Sequence, residues 1–185
     1  MAEEADEGVK YQFITENSEK KTTSRGYTGK AQAMYVNGDI YDGDFVDGIR
    51  EGRGKYMYAS NGDKYDGEWR LNSKHGIGKM IYNGKGEYYG YWENGRRHGE
   101  GVFTYPNGDV YSGWWKFGEK EGTGNYVFKQ TGMKLFGQWK AGNIESGKWV
   151  YPNGMFYEGQ FANNKPNGKG KWVFKGGNVL EGEYE

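Results

Sequence analysis

The sequence predicts an all-β fold, an elongated and twisted single-layer antiparallel sheet made of stacked β-hairpin repeats. Three observations predict it. A pentad with glycine at its centre and an aromatic residue at its end recurs at intervals of 22 to 24 residues, which is typical of a repeat architecture. In a pentad such as Tyr65–Trp69, acidic residues alternate with tyrosine, glycine and tryptophan, which is the period of a β-strand. The chain has 34 glycines and 18% aromatic residues, so its apolar surface is aromatic rather than aliphatic.

The pentads divide the chain into units. They begin at Tyr41, Tyr65, Tyr88, Tyr111, Leu135, Tyr157 and Leu180. The first six open full units, Leu180 opens a terminal partial unit, and a half repeat from about Gly26 precedes Tyr41. We therefore predict a repeat array over residues 26–185. Residues 1–25 are acidic and polar without a repeat unit, which favours a flexible tail; ordering against a partner is the alternative.

Each unit is predicted to be two short antiparallel strands. In the first strand Tyr65, Gly67 and Trp69 share one face, and Gly78–Tyr82 alternates again as the second strand. The polar segment between them, 72–78, is predicted to be a turn. Asn-Gly pairs, as at Asn107 and Gly108, supply residues that tolerate positive φ where one unit leads into the next.

Composition excludes several classes of function. The formal net charge is zero, with 25 basic and 25 acidic residues, so the overall charge gives no reason to expect a nucleic-acid partner. There is no cysteine, which removes disulfides and thiol chemistry and fits a reducing compartment. No apolar run is long enough for a membrane helix, and the acidic start is unlike a signal peptide. These features predict a soluble intracellular protein.

The spacing of the glycines and aromatic residues in one unit carries a family resemblance. The unit that opens at Tyr88 has its glycines and aromatics at Gly90, Trp92, Gly95, Gly99, Gly101, Tyr105, Asn107 and Gly108. This pattern resembles the MORN repeat (membrane occupation and recognition nexus) and extends over about residues 26–185. Departures are Glu145 in place of a glycine in the unit at Leu135, and Gly84-Lys85 where Asn-Gly is expected. The resemblance implies a β-hairpin array that acts as a scaffold or a lipid-associated adaptor, with no catalysis.

A narrower resemblance concerns the second half of the array. Residues 131–134, the turn at 163–166 and the ending at 182–184 are similar to the MORN core of radial spoke head proteins of motile cilia and flagella. This resemblance implies a non-enzymatic structural scaffold of the axoneme. Its implied partners are other radial spoke proteins and a second copy of the chain, and its implied location is the ciliary cytoskeleton.

The aromatic face of the pentads is the predicted partner-binding surface. The candidates are Tyr65, Trp69, Tyr88, Trp92, Tyr111, Trp115, Trp139, Tyr157 and Phe161. A single sheet has no second layer to cover these rings, and large exposed aromatic patches usually mark interfaces. Packing of the rings against one another is the alternative. Both can hold if each ring is half buried by the array and half by a partner.

Basic residues give a second, weaker candidate surface. Arg96, Arg97 and His98, with Lys74 and Lys120 near equivalent positions, could contact lipid phosphates or an acidic protein; a solvated loop is the alternative. His75 and His98 occupy one equivalent loop position and are interpreted as turn residues. The sequence shows no nucleophile signature and no ligand constellation, so we expect no catalytic residues, metal or cofactor.

Two other functions remain open on the sequence. One is an adaptor that tethers partners to phosphoinositide-containing membranes through its loops. The other is a targeting module whose catalytic domain lies elsewhere in a longer protein, as in MORN-bearing kinases and methyltransferases. Salt-sensitive lipid binding distinguishes the first from the axonemal scaffold, and sequence beyond Glu185 would reveal the second.

Overall fold

A computed structural model describes residues 10–185, which form sixteen antiparallel β-strands and no helix. None of these residues therefore forms a helix that could cross a membrane. The strands fall into two compact parts, called the first unit and the second unit, each of which contains several repeat units. The first contains the described residues up to Gly84 together with Trp92–Gly95, and the second contains Lys85–Tyr91 together with Arg96–Glu185.

The first unit is an open sheet in the order β2-β1-β3-β4-β5-β6-β7. Its strands are β1 (Gln12–Thr15), β2 (Lys20–Lys21), β3 (Gly29–Met34), β4 (Ile40–Val46), β5 (Ile49–Met57), β6 (Lys64–Arg70) and β7 (Ser73–Tyr82). Strand β8 (Gly86–Glu93) contributes residues to both units. The second unit continues in chain order through β9 (Arg96–Thr104), β10 (Val110–Lys116), β11 (Glu119–Val127), β12 (Lys134–Lys140), β13 (Asn143–Val150), β14 (Phe156–Ala162), β15 (Lys165–Val173) and β16 (Val179–Tyr184). The predicted all-β class of antiparallel hairpin repeats is confirmed.

The turn inside each hairpin is shorter than the sequence suggested. Strand β7 already begins at Ser73, so only Leu71 and Asn72 connect it to β6. Both have positive φ, 47° and 65°, which is the geometry of a two-residue type I′ turn. The predicted turn over 72–78 was wrong because its glycine, Gly76, is a bulge residue within the strand, with φ of 54° beside Glu68.

The longer connection between units uses Asn-Gly as predicted. Gly108 has φ of 83°, and the Asn107 side chain accepts a hydrogen bond from the backbone N–H of Asp109 at 3.0 Å. Asparagine thus closes an Asx turn while glycine supplies the left-handed conformation. The same pair of roles recurs at Asn37 and Gly38.

A tyrosine lying across two glycines is the repeating unit of the core. Gly113 and Gly124 face each other on β10 and β11, and the Tyr111 ring lies over them. A Cβ atom on Gly124 would be 2.3 Å from the Tyr111 hydroxyl oxygen, so no other residue fits. That hydroxyl donates a hydrogen bond to the Trp114 carbonyl at 3.0 Å. The glycines of the motif therefore make room for a ring.

The predicted tail is ordered where the structure describes it. Strand β1 pairs with β3, and Phe13 at its centre is fully buried against Phe45, with ring centroids 5.0 Å apart. Residues 10–25 are therefore not the flexible tail that the sequence favoured, because β1 extends the sheet by one strand and buries Phe13. Strand β1 lacks the repeat pattern and was therefore not predicted. Residues 1–9, which hold the acidic part of that prediction, lie outside the described residues.

The unit at Leu135 closes differently from its neighbours. Leucine cannot reach across the glycine pair as tyrosine does, and Ile144 fills the space instead, with its Cδ1 atom near Gly137. Ile144 is 1% exposed. The register shift of this hairpin falls between Gln138 and Trp139, and the interval from Leu135 to Tyr157 is the shortest between pentads, at 22 residues.

Candidate protein-binding face

The pentad aromatics predicted to bind a partner lie in the core. The tyrosines at 41, 65, 88, 111 and 157 are at most 1% exposed, and the closing rings from Phe45 to Phe161 are at most 6% exposed. These residues include every predicted candidate: Tyr65, Trp69, Tyr88, Trp92, Tyr111, Trp115, Trp139, Tyr157 and Phe161. The expectation that half of each ring is left for a partner was wrong, because packing within the chain already covers these rings.

Ring packing and hydrogen bonds both explain this burial. Tyr111 makes edge-to-face contacts with Trp115 and Trp139, with centroids 5.2 Å from each. The indole N–H of Trp139 donates to the carbonyl of Gly124 at 3.0 Å. The indole N–H groups of the other pentad tryptophans donate to glycine carbonyls in the same way, so none of these N–H groups is available to a ligand.

A second row of aromatic rings on the same face is only partly covered. We call it the aromatic ladder; it consists of Phe103, Tyr105, Tyr126, Phe128, Trp149, Tyr151 and Trp172. Tyr126 is paired with Tyr111 across β10 and β11, which places both side chains on one face. Phe103 is buried and the other six rings are half-buried. The sequence predicted the second strand of each unit, but this row of rings was not predicted as a surface separate from the pentads.

The ladder is continuous within the second unit. Successive ring centroids, from Phe103 to Trp172, are 4.6, 5.6, 4.7, 6.4, 5.6 and 5.8 Å apart. The first unit has a shorter row through Tyr11, Tyr35, Tyr56 and Tyr58, with spacings of 4.5 to 5.9 Å. A half-buried aromatic strip of this kind offers flat, rigid contact area to a partner.

Cations flank the ladder at one equivalent position per unit. The Arg97 guanidinium lies 4.3 Å from the Trp115 ring centroid and 5.4 Å from that of Phe103. The Lys120 ammonium lies 4.3 Å from the Trp139 ring and 5.4 Å from that of Tyr126. Burial, followed by the charge of Arg97, lowers the pKa of Lys120 to about 8. In the next unit this position is Ile144, so the row of cations ends there.

A buried carboxylate anchors the other end of the strands. Asp109 is 7% exposed and accepts hydrogen bonds from the Tyr126 hydroxyl at 2.9 Å and the Lys129 backbone N–H at 2.8 Å. Burial alone would raise the pKa of Asp109, but its hydrogen bonds outweigh that effect and hold the pKa below its ordinary value. Asp39 and Tyr56 repeat the arrangement with a 2.7 Å hydrogen bond. These carboxylates serve the fold.

The predicted basic cluster is divided between two faces. Arg97 points to the ladder face, so its neighbours on β9, Arg96 and His98, point to the other. His98 contacts Phe117, with ring centroids 5.9 Å apart. The structure therefore does not bring Arg96, Arg97 and His98 to one surface. Among residues 10–185, no group of three or more His, Asp or Glu side chains is placed to hold a metal ion.

Exposed aromatic side chains on the opposite face were not predicted. Trp114 is 49% exposed and follows Gly113 in the pentad, so it points away from Tyr111 and Trp115. Tyr89 and Tyr91 are also exposed. The alternation of the pentad could have located them, because the second and fourth positions are acidic or polar in most other units.

Comparison with solved structures gives matches to three SAS-4 or CPAP domains, of which the first has a TM-score above 0.5. The TCP domain of Drosophila melanogaster SAS-4 (dCPAP), solved in complex with a proline-rich motif of Ana2 (dSTIL), is 18% identical, with 84% of each chain covered and a TM-score of 0.51. The TCP10c domain of Drosophila melanogaster Sas-4 is 16% identical, with 85% of this chain and 93% of that chain covered and a TM-score of 0.47. The TCP10 domain of Danio rerio CPAP with a STIL peptide is 15% identical over 84% of each chain, with a TM-score of 0.37.

Sequence comparisons identify the repeat. Comparison with curated protein sequences finds no significant match. The family model of the MORN repeat matches residues 41–63, 65–87, 88–110 and 157–179. Each matched segment begins at a predicted pentad, at Tyr41, Tyr65, Tyr88 or Tyr157. This chain is a repeat protein that carries MORN repeats in these four places.

Proposed function

We propose that this chain is a non-enzymatic scaffold that binds partner proteins through the aromatic ladder. The observation that carries the proposal is the continuous strip of half-buried rings on a sheet face whose deeper rings are already packed. Interface cores are enriched in tyrosine, tryptophan and phenylalanine, and rigid rings lose little conformational entropy on binding. The strands that present the ladder are preformed, which limits the ordering cost of association.

The finer proposal is a subunit of the radial spoke head in the ciliary or flagellar axoneme. It rests on the resemblance of residues 131–134 and 163–166 to the MORN core of spoke head proteins. A stack of hairpins tied together by ring contacts and backbone hydrogen bonds suits a part that bears force. Other spoke proteins are the proposed partners, with self-association as a further proposal.

A fold of this kind is compatible with peptide binding. The Drosophila SAS-4 domain, which is similar to this chain in fold, was solved with a bound proline-rich motif. That complex supports the general idea that a protein of this fold binds a segment of a partner protein. The identity of the partner here is proposed on the spoke-head resemblance instead.

The lipid-adaptor alternative is less favoured by the geometry. It relied on a joint surface of Arg96, Arg97 and His98, but consecutive strand residues face opposite ways. Arg97 also donates a hydrogen bond to the Gly118 carbonyl at 2.6 Å, so it bridges two turns of the array. Its guanidinium is thus engaged in the fold rather than presented to a headgroup.

The test is cross-linking of the tagged chain in ciliated cells, followed by salt extraction of isolated axonemes. We expect wild type to remain with axonemes and to cross-link to spoke proteins near the ladder. Phe128→Ser, on the ladder, should release the chain into the extract. Trp114→Ser, an exposed ring on the opposite face, is the matched control and should be retained.

Fractionation with membranes would overturn the proposal. If the wild type floats with phosphoinositide vesicles in a salt-sensitive way, and Arg96→Ala abolishes flotation while Phe128→Ser does not, the adaptor is correct. Urea denaturation of every purified variant establishes that loss of binding is not loss of folding.

A further inference from the structure

We infer that the ladder of the second unit binds a polyproline II segment of a partner, with prolyl or other apolar residues at every third position and an acidic residue beside Lys120. This inference rests on the proposed function, since it assumes that the ladder is a protein-binding surface. It adds the conformation, direction and chemistry of the bound segment.

The repeat length of the ladder matches a polyproline II helix. Equivalent rings, such as Tyr105, Phe128 and Tyr151, recur once per unit of two strands, and strands lie about 4.8 Å apart, so equivalent sites recur about every 9.6 Å. A polyproline II helix has three residues per turn and rises about 3.1 Å per residue, or about 9.3 Å per turn. A segment laid across the strands therefore stays in register within about 0.3 Å per unit.

Other peptide conformations do not keep this register. Side chains on one face of an extended β-strand recur about every 6.7 Å, and an α-helix repeats every 5.4 Å or so. Either would drift out of step with the rings within one unit. The strands that carry the ladder are also paired on both sides from β10 to β15, so a β-strand could not add to the sheet there.

The ladder supplies hydrogen-bond donors that such a segment needs. Polyproline II has no internal hydrogen bonds, so its carbonyl groups remain available to a partner. The hydroxyl groups of Tyr105 and Tyr151 donate no hydrogen bond within the described residues, although the Tyr126 hydroxyl is bound to Asp109. Two of the three tyrosine hydroxyl groups of the ladder can therefore donate outward.

Charge selects one position of the segment. The Lys120 ammonium lies among three aromatic rings, and no carboxylate in the described part of the chain forms an ion pair with it. A ligand carboxylate beside it would pair a partly desolvated cation. Ile144 at the equivalent place in the next unit offers no charge, so the acidic preference is confined to one side of the segment.

The 185 residues contain no proline-rich segment. This chain contains three prolines, at 106, 152 and 166, and no two of them lie within one short segment. It therefore holds no proline-rich stretch of its own that could fold back onto the ladder.

Fluorescence anisotropy with designed peptides tests the inference on the full 185-residue chain. The probe is a labelled peptide of about 12 residues, four polyproline II turns, with proline at every third position and one central glutamate. Matched probes carry the same composition with proline at every second position, or glutamine in place of glutamate. We expect the first probe to bind at least tenfold more tightly than either control, which corresponds to about 1.4 kcal/mol.

Protein variants locate the site. Phe128→Ser should weaken the first probe about tenfold or more, as expected for an anchor residue. Tyr105→Phe, which removes only a hydroxyl group, is the milder second variant should Phe128→Ser fail to fold. Lys120→Met should weaken the glutamate probe and leave the glutamine probe unchanged, and Trp114→Ser should change neither.

Three results would overturn the inference. They are equal binding of both proline spacings, binding that Phe128→Ser and Tyr105→Phe leave unchanged, and absence of binding by every probe. Self-association that is abolished by Phe128→Ser would assign the ladder to a second copy of the chain. The axoneme experiment remains separate, since retention there with no peptide binding would refute this inference and leave the scaffold proposal standing.

Discussion

Substituting alanine for Gly113 tests the tyrosine-over-glycine core most directly. A Cβ atom at this position would lie 2.5 Å from the Gly124 Cα atom, 2.7 Å from the Thr123 carbonyl oxygen and 2.8 Å from the Tyr111 hydroxyl oxygen. Two of these three neighbours are backbone atoms of the paired strand, which cannot rotate away. Strands β10 and β11 would therefore have to separate at the point where the core is densest.

The size of the effect follows from those contacts. Ordinary carbon contacts begin near 3.4 Å, so the strands must move apart by roughly 1 Å. Overpacking a well-packed core destabilises by about 1–3 kcal/mol, and a rigid backbone neighbour favours the upper end. Weakening the hydrogen bond from Tyr111 to the Trp114 carbonyl adds about 1 kcal/mol. We expect Gly113→Ala to lower the free energy of unfolding by about 3–4 kcal/mol.

Gly182 provides a control at the same pentad position. A Cβ atom on Gly182 would meet nothing within 4 Å, and its φ is not in the left-handed region. Alanine there should be neutral, or stabilising by up to about 1 kcal/mol, because it reduces the freedom of the unfolded chain. Urea denaturation followed by tryptophan fluorescence measures both variants. A Gly113→Ala midpoint close to that of Gly182→Ala would refute the proposed role of the glycine pair.

Three further predictions concern side chains of the second unit. Asp109→Asn should destabilise the fold by about 1–3 kcal/mol at neutral pH. Because the pKa of Asp109 is lowered in the folded chain, wild type should lose that advantage as pH falls below about 4. Acid denaturation of both chains measures this loss. Trp149→Phe should be less destabilising than Trp139→Phe by about 1–3 kcal/mol in urea, because the Trp149 N–H is buried without a partner whereas that of Trp139 is hydrogen-bonded. The charged form of Lys120 is disfavoured by burial and by Arg97, so wild type should gain stability relative to Lys120→Met between pH 8 and about pH 10.4. Thermal melts of both chains measure this, and a constant difference between their melting temperatures across the range would contradict the prediction.

The repeat and its strands were predictable because they are written as local periodicity. Glycine at the centre of each pentad and aromatics on either side fix both the strand and the face, and the family match begins at the same tyrosines. The Asn-Gly connections were predictable for the same reason, since positive φ at Gly108 is a local requirement. Nothing distant in the chain decides these features.

Depth within the sheet was not predictable from the pattern. Tyr111 and Tyr126 are both tyrosines on one face, yet the first is fully buried and the second is half-buried. The difference depends on the neighbours of each ring: Tyr111 lies over Gly113 and Gly124, whereas the Tyr126 hydroxyl donates a hydrogen bond to Asp109. Strand β1 was missed because Phe13 belongs to no repeat and becomes recognisable only when β3 is placed beside it.

The fourth position of the pentad shows how one fold can carry different surfaces. The backbone carbonyl at this position accepts a hydrogen bond from the hydroxyl of the pentad tyrosine. Tyr111 donates to the Trp114 carbonyl, and Tyr157 donates to the Gln160 carbonyl. A carbonyl is common to every residue, so this bond does not restrict the side chain, which points to the opposite face. Gln160 uses that side chain to accept a hydrogen bond from the backbone of the next strand, whereas Trp114 leaves its ring exposed. The backbone and the glycines therefore hold each hairpin, and side chains outside the core are free to specify different partners on each face.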